Sequence, residues 1–165
     1  MIMKAISSKE LKEELADCTP KELRELCLRL ARFKKENKEL LTYLLLEASD
    51  ESKYVENVKN DVDLQIEQIN RKSPYLIKKS LRKILRTIRK YARYSQKKET
   101  EAELLLYFCV KLKSFNPSIQ KNSGLLNFYN KQIVILRKKI VLLHEDLQFD
   151  YVVALNALEN DQTGN

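Results

Sequence analysis

Between Arg71 and Lys98 the chain carries twelve cations, and no Asp or Glu falls between Glu67 and Glu99. Arginine and lysine in such a run bind phosphates and carboxylates, arginine through a planar two-pronged contact and lysine as a point charge. Ile77, Leu81, Ile84, Ile88 and Tyr91 recur through the run at alternating steps of four and three, the spacing of a helix's buried stripe. Turning that stripe inward leaves Arg82, Arg86, Arg89 and Arg93 as one outward row, with Lys79, Lys83 and Lys90 beside it. Like charges at i,i+4 cost a few tenths of a kcal/mol each in an isolated helix. An ordinary solvated face mixes signs, whereas this one-sign row runs for roughly 30 Å. Duplex DNA carries one charge per about 1.7 Å of axis, so the row can meet several phosphates. Tyr94, and Tyr91 if it is not in the core, can stack on bases.

Three uses of the row are consistent with the sequence. It can bind a polyanion, either nucleic acid or an acidic protein surface. It can pair internally with Glu56, Asp61, Asp63 and Glu67 of the preceding helix. It can lie on a membrane surface, a use weakened by an aliphatic stripe without Trp or Phe at the interface positions. Arg137, Lys138 and Lys139 form a second, smaller basic cluster.

Catalytic patterns are thin by comparison. His144 is the only histidine, and His144-Glu145 lacks the second His four residues on that a zinc-binding helix needs. Asp63 and Glu67 are spaced i,i+4 and Glu99, Glu101 and Glu103 cluster, but no Glu-x-x-His motif accompanies them. Two glycines, Gly124 and Gly164, cannot build a phosphate loop, a dinucleotide fingerprint or a nucleophile elbow. Cys18, Cys27 and Cys109 are odd in number and not spaced C-x-x-C, which reads as small buried hydrophobes in a reducing compartment. The chain therefore reads as a non-enzymatic protein with no cofactor, no metal and no evident small-molecule substrate.

The elements that must hold these residues are helical. Across 165 residues there are two Gly, three Pro and abundant Leu, Lys, Glu and Arg. The net charge of +8 is uneven: residues 1–70 hold 12 Lys/Arg against 15 Asp/Glu, and residues 71–165 hold 19 against 8. A first helix opens at Ser7 or Ser8 and stops near Asp17–Cys18. Thr19-Pro20-Lys21-Glu22 is a start signal, with a capping Thr, Pro at the first position and a Glu that reaches back. The helix it opens is expected to bury Leu23, Leu26, Cys27, Leu30, Ala31 and Phe33. A third, capped by Asn37 and carrying Leu40, Leu41, Tyr43, Leu44 and Leu45, is apolar nearly all round and is expected to be central.

Ser49–Ser52 turns into a fourth helix reaching about Asn70, with Tyr54, Val55, Val58, Val62, Ile66 and Ile69 inward. Ser73-Pro74 opens the basic fifth helix, which runs to about Gln96. The sixth begins around Lys98–Thr100 and ends at Asn116-Pro117. A long helix from Leu125 keeps three-four spacing through Leu126, Tyr129, Ile133, Leu136, Ile140, Leu143 and Leu147. A break near Asp146–Gln148 would then precede a last helix over Phe149–Leu158 and a polar tail from Glu159 to Asn165. The Leu126–Leu147 series is read first as core, and otherwise as the seam of a homo-oligomer or partner complex.

A weak internal repeat pairs Thr19-Pro20 and Glu39–Leu44 with Ser73-Pro74 and Glu103–Phe108. The stretch Lys9-Glu10-Leu11, Thr19-Pro20-Lys21-Glu22-Leu23-Arg24-Glu25-Leu26 and Phe33-Lys34-Lys35-Glu36-Asn37-Lys38-Glu39-Leu40 resembles the N-terminal hairpin of a family of small all-helical bacterial proteins of unknown function. With a looser fit at Leu104–Phe115, the likeness covers about two-thirds of the chain. It implies a bacterial all-α protein and transfers no activity, cofactor or site residue. The expected fold is one all-α domain over 1–165, with seven or eight helices as stacked antiparallel hairpins or a closed bundle. No apolar run is long enough for a membrane span or a signal peptide, so a cytoplasmic location is expected. The expected function is polyanion binding through Lys79, Arg82, Lys83, Arg86, Arg89, Lys90 and Arg93. The alternative is a structural or adaptor protein working through apolar helix surfaces, with the basic helix paired internally.

Overall fold

The computed structural model describes residues 2–160, and it is all-helical, with eight α-helices and no strand among the described residues. The chain divides into two compact units, one up to Leu46 and one from Glu47.

The N-terminal unit holds α1 (Ser8–Ala16), α2 (Pro20–Phe33) and α3 (Lys35–Thr42), followed by a π-helical turn over Tyr43–Glu47. Its first two helices start as the sequence dictates. The Ser7 hydroxyl accepts from the Glu10 amide and the Thr19 hydroxyl from the Glu22 amide. Glu10 and Glu22 reach back to the Ser7 and Thr19 amides at 2.8 and 2.7 Å, closing two capping boxes. These hydrogen bonds hold both carboxyls below their ordinary range.

The expected burial does not follow. No residue of α1, α2 or α3 is buried. Leu23 and Ala31 are half-buried, whereas Leu26, Cys27, Leu30 and Phe33 are exposed. Of the third helix's apolar set only Tyr43 is buried; Leu41 is half-buried, and Leu40, Leu44 and Leu45 are exposed. A pair of helices covers only the stripe along which it touches, and α2 and α3 pack on each other. Asn37 also takes a different role. Lys34 caps α3, and the Asn37 amide instead donates to the Leu30 carbonyl at 2.8 Å, satisfying an orphan carbonyl at the end of α2.

The second unit holds α4 (Glu51–Glu67), α5 (Pro74–Ser95), α6 (Lys98–Lys113), α7 (Ser123–Ile140) and α8 (Glu145–Asn160), with a 3₁₀ turn at Ile119–Lys121. Each helix packs on the next, and α6 touches all four others. It is therefore the sixth helix, not the third, that is central. Ala102, Leu104, Phe108, Cys109 and Leu112 are its innermost side chains. Burial pushes the Cys109 thiol up to about 12. Cys18 is half-buried and Cys27 exposed, so only one cysteine of three is the expected core residue.

Polar ties between α4, α5 and α6 fix their register. Glu51 accepts from the Ser95 hydroxyl and, at 2.6 Å, from the buried Thr100 hydroxyl. The Tyr54 hydroxyl donates to the Tyr91 carbonyl at 2.9 Å. Asp63 accepts from the Tyr107 hydroxyl at 2.7 Å and from the Lys111 ammonium at 3.0 Å. Burial alone would raise the Asp63 carboxyl, but those hydrogen bonds and the Lys111 charge outweigh it and lower it.

The break before the last helix lies earlier than expected, at Val141–His144, and the extra turn makes Glu145–Gln148 part of α8. The Gln148 side-chain amide donates to the Leu143 carbonyl at 2.8 Å and the Val141 carbonyl at 3.4 Å. A side chain thus satisfies the carbonyls that the break exposes, a signal outside the usual Gly and Pro vocabulary. The Leu126–Leu147 series is mainly core: Tyr129, Ile133, Leu136, Ile140 and Leu143 are buried, Leu126 is half-buried and Leu147 is exposed. Glu159 and Asn160 are helical rather than tail, and residues 161–165 of the expected tail lie outside the described residues. The Lys113 ammonium donates to the Leu158 carbonyl at 2.7 Å, placing a cation at the C-terminal end of α8.

Candidate functional site

Helix α5 is built as its sequence specifies. The Ser73 hydroxyl accepts from the Leu76 amide, Pro74 occupies the first turn, and Gln96 ends the helix in the left-handed region at φ 58°. Ile77, Leu81, Ile84, Leu85, Ile88 and Ala92 are buried. Tyr91 is half-buried and meets Tyr94 edge-on at 6.0 Å.

The outward side of α5 faces α7 across a groove of about 520 Å³. From α5 it is lined by Tyr75, Lys78, Lys79, Arg82, Leu85, Arg86 and Arg89, and from α7 by Asn127, Phe128, Lys131 and Gln132. Six of these are cations and none is an acid. Lys79, Arg82, Arg86, Arg89 and Lys131 are exposed, and Lys78 is half-buried. Among the described residues, the side chains of Lys78, Lys79, Arg82, Arg86 and Lys131 make no hydrogen bond or ion pair. Arg89 donates weakly, at 3.5 Å, to the side-chain carbonyl of Gln132, which is buried and whose amide donates to the Phe128 carbonyl at 3.3 Å. The groove floor is apolar: Leu85 and Phe128 are both buried, and the Phe128 ring meets Phe108 of the core edge-on at 6.3 Å.

The structure brings together four of the seven expected site residues. Lys79, Arg82, Arg86 and Arg89 line the groove, whereas Lys83, Lys90 and Arg93 do not. At about 100° per residue, Lys83 and Lys90 lie roughly 80–100° round the helix from Arg82, to the side of the row. Lys90 is half-buried with its ammonium 4.9 Å from the Tyr91 ring centroid. Arg93 continues the row beyond the groove's end and is exposed.

Seven lining residues were not among the expected site residues: Tyr75, Lys78, Leu85, Asn127, Phe128, Lys131 and Gln132. Lys78 is four residues before Arg82, so helical spacing alone could have found it. Tyr75 precedes Lys79 by four and was legible in the same way. Lys131 and Gln132 come from a helix distant in sequence, and no local pattern joins them to α5.

The acids named for internal pairing are engaged elsewhere or not engaged. Glu56 and Glu103 hold Lys59 at 2.8 and 2.7 Å, Asp61 accepts from Gln65 at 2.7 Å, and Asp63 holds Lys111 and Tyr107. Glu67 makes no ion pair among the described residues. The second basic cluster is partly neutralised: Arg137 pairs with Glu159 at 2.7 Å and Lys139 with Glu101 at 2.9 Å. His144 is exposed, its Nδ1 3.3 Å from Asp146. Among the described residues no three His, Cys, Asp or Glu side chains come together as a metal site. Among them, too, no helix is long and apolar enough to cross a membrane.

No family model, curated protein or solved structure matches this chain.

Proposed function

We propose that the protein is a non-enzymatic binding protein that holds a polyanion in the groove between α5 and α7. The observation that carries this reading is a groove edged by six cations with no acid in its lining. Two packed helices rarely direct charge of one sign into a shared furrow, because the charges repel and nothing within the fold repays them. An anionic ligand supplies the missing counter-charge. Arg82, Arg86 and Arg89 offer planar forks suited to phosphate or carboxylate, with Lys79, Lys78 and Lys131 adding point charges. Lys83, Lys90 and Arg93 flank the groove and steer ligand toward it. The three free thiols support a reducing, cytoplasmic setting.

The test is a set of anisotropy titrations with labelled nucleic acids, and competition with inorganic polyphosphate and poly-glutamate, at two salt concentrations. Contact with about four phosphates predicts a log–log salt slope near −3.6 on duplex DNA. The triple variant R82E/R86E/R89E is expected to lose binding while keeping its helical circular dichroism, since all three side chains are exposed. Absence of binding to every probe at low salt, or binding that survives the triple reversal, refutes the proposal.

A further inference from the structure

We infer that the ligand of this groove is single-stranded nucleic acid, with phosphates on the cation row and a base stacked on Tyr75. The inference rests on the polyanion reading and adds what the cations alone leave unspecified.

The first argument is width. The furrow runs between two directly packed helices, whose axes in such contacts lie about 8–10 Å apart. A double helix, whose major groove alone is about 12 Å wide, is too broad to enter it. A duplex can touch only the rim. A single strand can descend to the floor.

The second argument is the lining below the rim. Leu85 and Phe128 show only an edge at the apolar floor, and exposed Asn127 adds an amide beside it, whereas Gln132 is buried and already engaged with Arg89 and the Phe128 carbonyl. Phosphates accept from an amide but gain nothing from an apolar floor. Bases use both, since they have apolar faces and hydrogen-bonding edges, and an unpaired strand presents them.

The third is Tyr75, which lines the groove from the first turn of α5 and is 74% exposed. Neither its ring nor its hydroxyl makes an interaction among the described residues. A large aromatic standing free beside a row of cations is the combination by which proteins hold single strands: the charges track the backbone and the ring carries a base. Lys78, Arg82, Arg86 and Arg89 follow it at steps of four, four and three, a row about 16 Å long. An acidic peptide or a polyphosphate would satisfy that row and leave the tyrosine idle.

Full-length protein titrated with a 12-nucleotide single strand, RNA or DNA, is expected to bind it at least about tenfold more tightly than the matching duplex. Tyr75→Ala is expected to weaken single-strand binding by about 5- to 150-fold, the loss of one base–aromatic stack. Duplex, polyphosphate and poly-glutamate affinities fall less than single-strand affinity, and Tyr75→Phe retains single-strand binding. Equal affinity for single strand, duplex and polyphosphate, or indifference to Tyr75→Ala, overturns the inference while leaving the polyanion reading standing. Failure of every probe overturns both.

Discussion

The two units of the chain treat the same kind of helix in opposite ways. In the unit up to Leu46, Leu26, Leu30 and Phe33 recur at helical spacing and stand exposed, Phe33 at 76%. In the unit from Glu47, Leu104, Phe108 and Leu112 recur at similar spacing and are buried, Phe108 completely. Periodicity states which side chains share a stripe. Whether the stripe is covered depends on how many other elements reach it. Helix α6 is touched by four neighbours, and around it even cysteine and threonine are taken out of water. In the unit up to Leu46, α2 and α3 pack on each other and cover only the stripe along which they touch.

The sharpest way to break this contrast is to make one substitution in both places. Phe108→Ala empties a packed site and is expected to cost about 3–5 kcal/mol. Phe33→Ala removes the same atoms from an exposed position and is expected to stay within about 0.5 kcal/mol. Urea unfolding of the two variants measures both. A large loss for Phe33→Ala would show that its ring is covered in solution.

A smaller effect concerns acid. Asp63 has a folded carboxyl lower than its unfolded one, so its contribution is fully present above about pH 4. That contribution is lost as pH falls through the folded value. The gap in urea midpoint between wild type and Asp63→Asn is expected to be widest near neutrality and to close on acidification.

The smallest effect is at the helix starts. Removing the Thr19 hydroxyl with Thr19→Ala costs about 1 kcal/mol of local helix stability, as Ser73→Ala does in α5. Hydrogen exchange separates the outcomes. The first frays α2 alone, because no buried residue holds that helix, whereas α5 keeps its protection through Ile77, Leu81 and Ile84.

These contrasts mark what was legible in the sequence. The starts of α1, α2 and α5 were, because Ser7, Thr19 and Ser73 cap through atoms a few residues away. So was the inward face of α5, because its stripe is unbroken from Ile77 to Ile88. The position of the α7–α8 break was not, since it depends on Gln148 reaching back to Leu143. The centrality of α6 over α3 was not, since both are leucine-rich and only their neighbours differ. At the candidate site, the α5 half of the groove follows from spacing, including Lys78 and Tyr75. The α7 half, Lys131 and Gln132, exists only once two distant segments are packed.

The amide of Gln132 carries one last consequence. It accepts from Arg89 without cancelling its charge, so the furrow keeps its full potential while one of its guanidiniums is held. Repulsion along α5 is then a standing cost to the folded state. Added salt screens that repulsion and favours folding, yet the same ions compete with any polyanion for the groove. Folding and ligand capture therefore respond to ionic strength with opposite signs. At low salt, a bound anion relieves the repulsion it meets and raises the melting temperature of the unit that holds it.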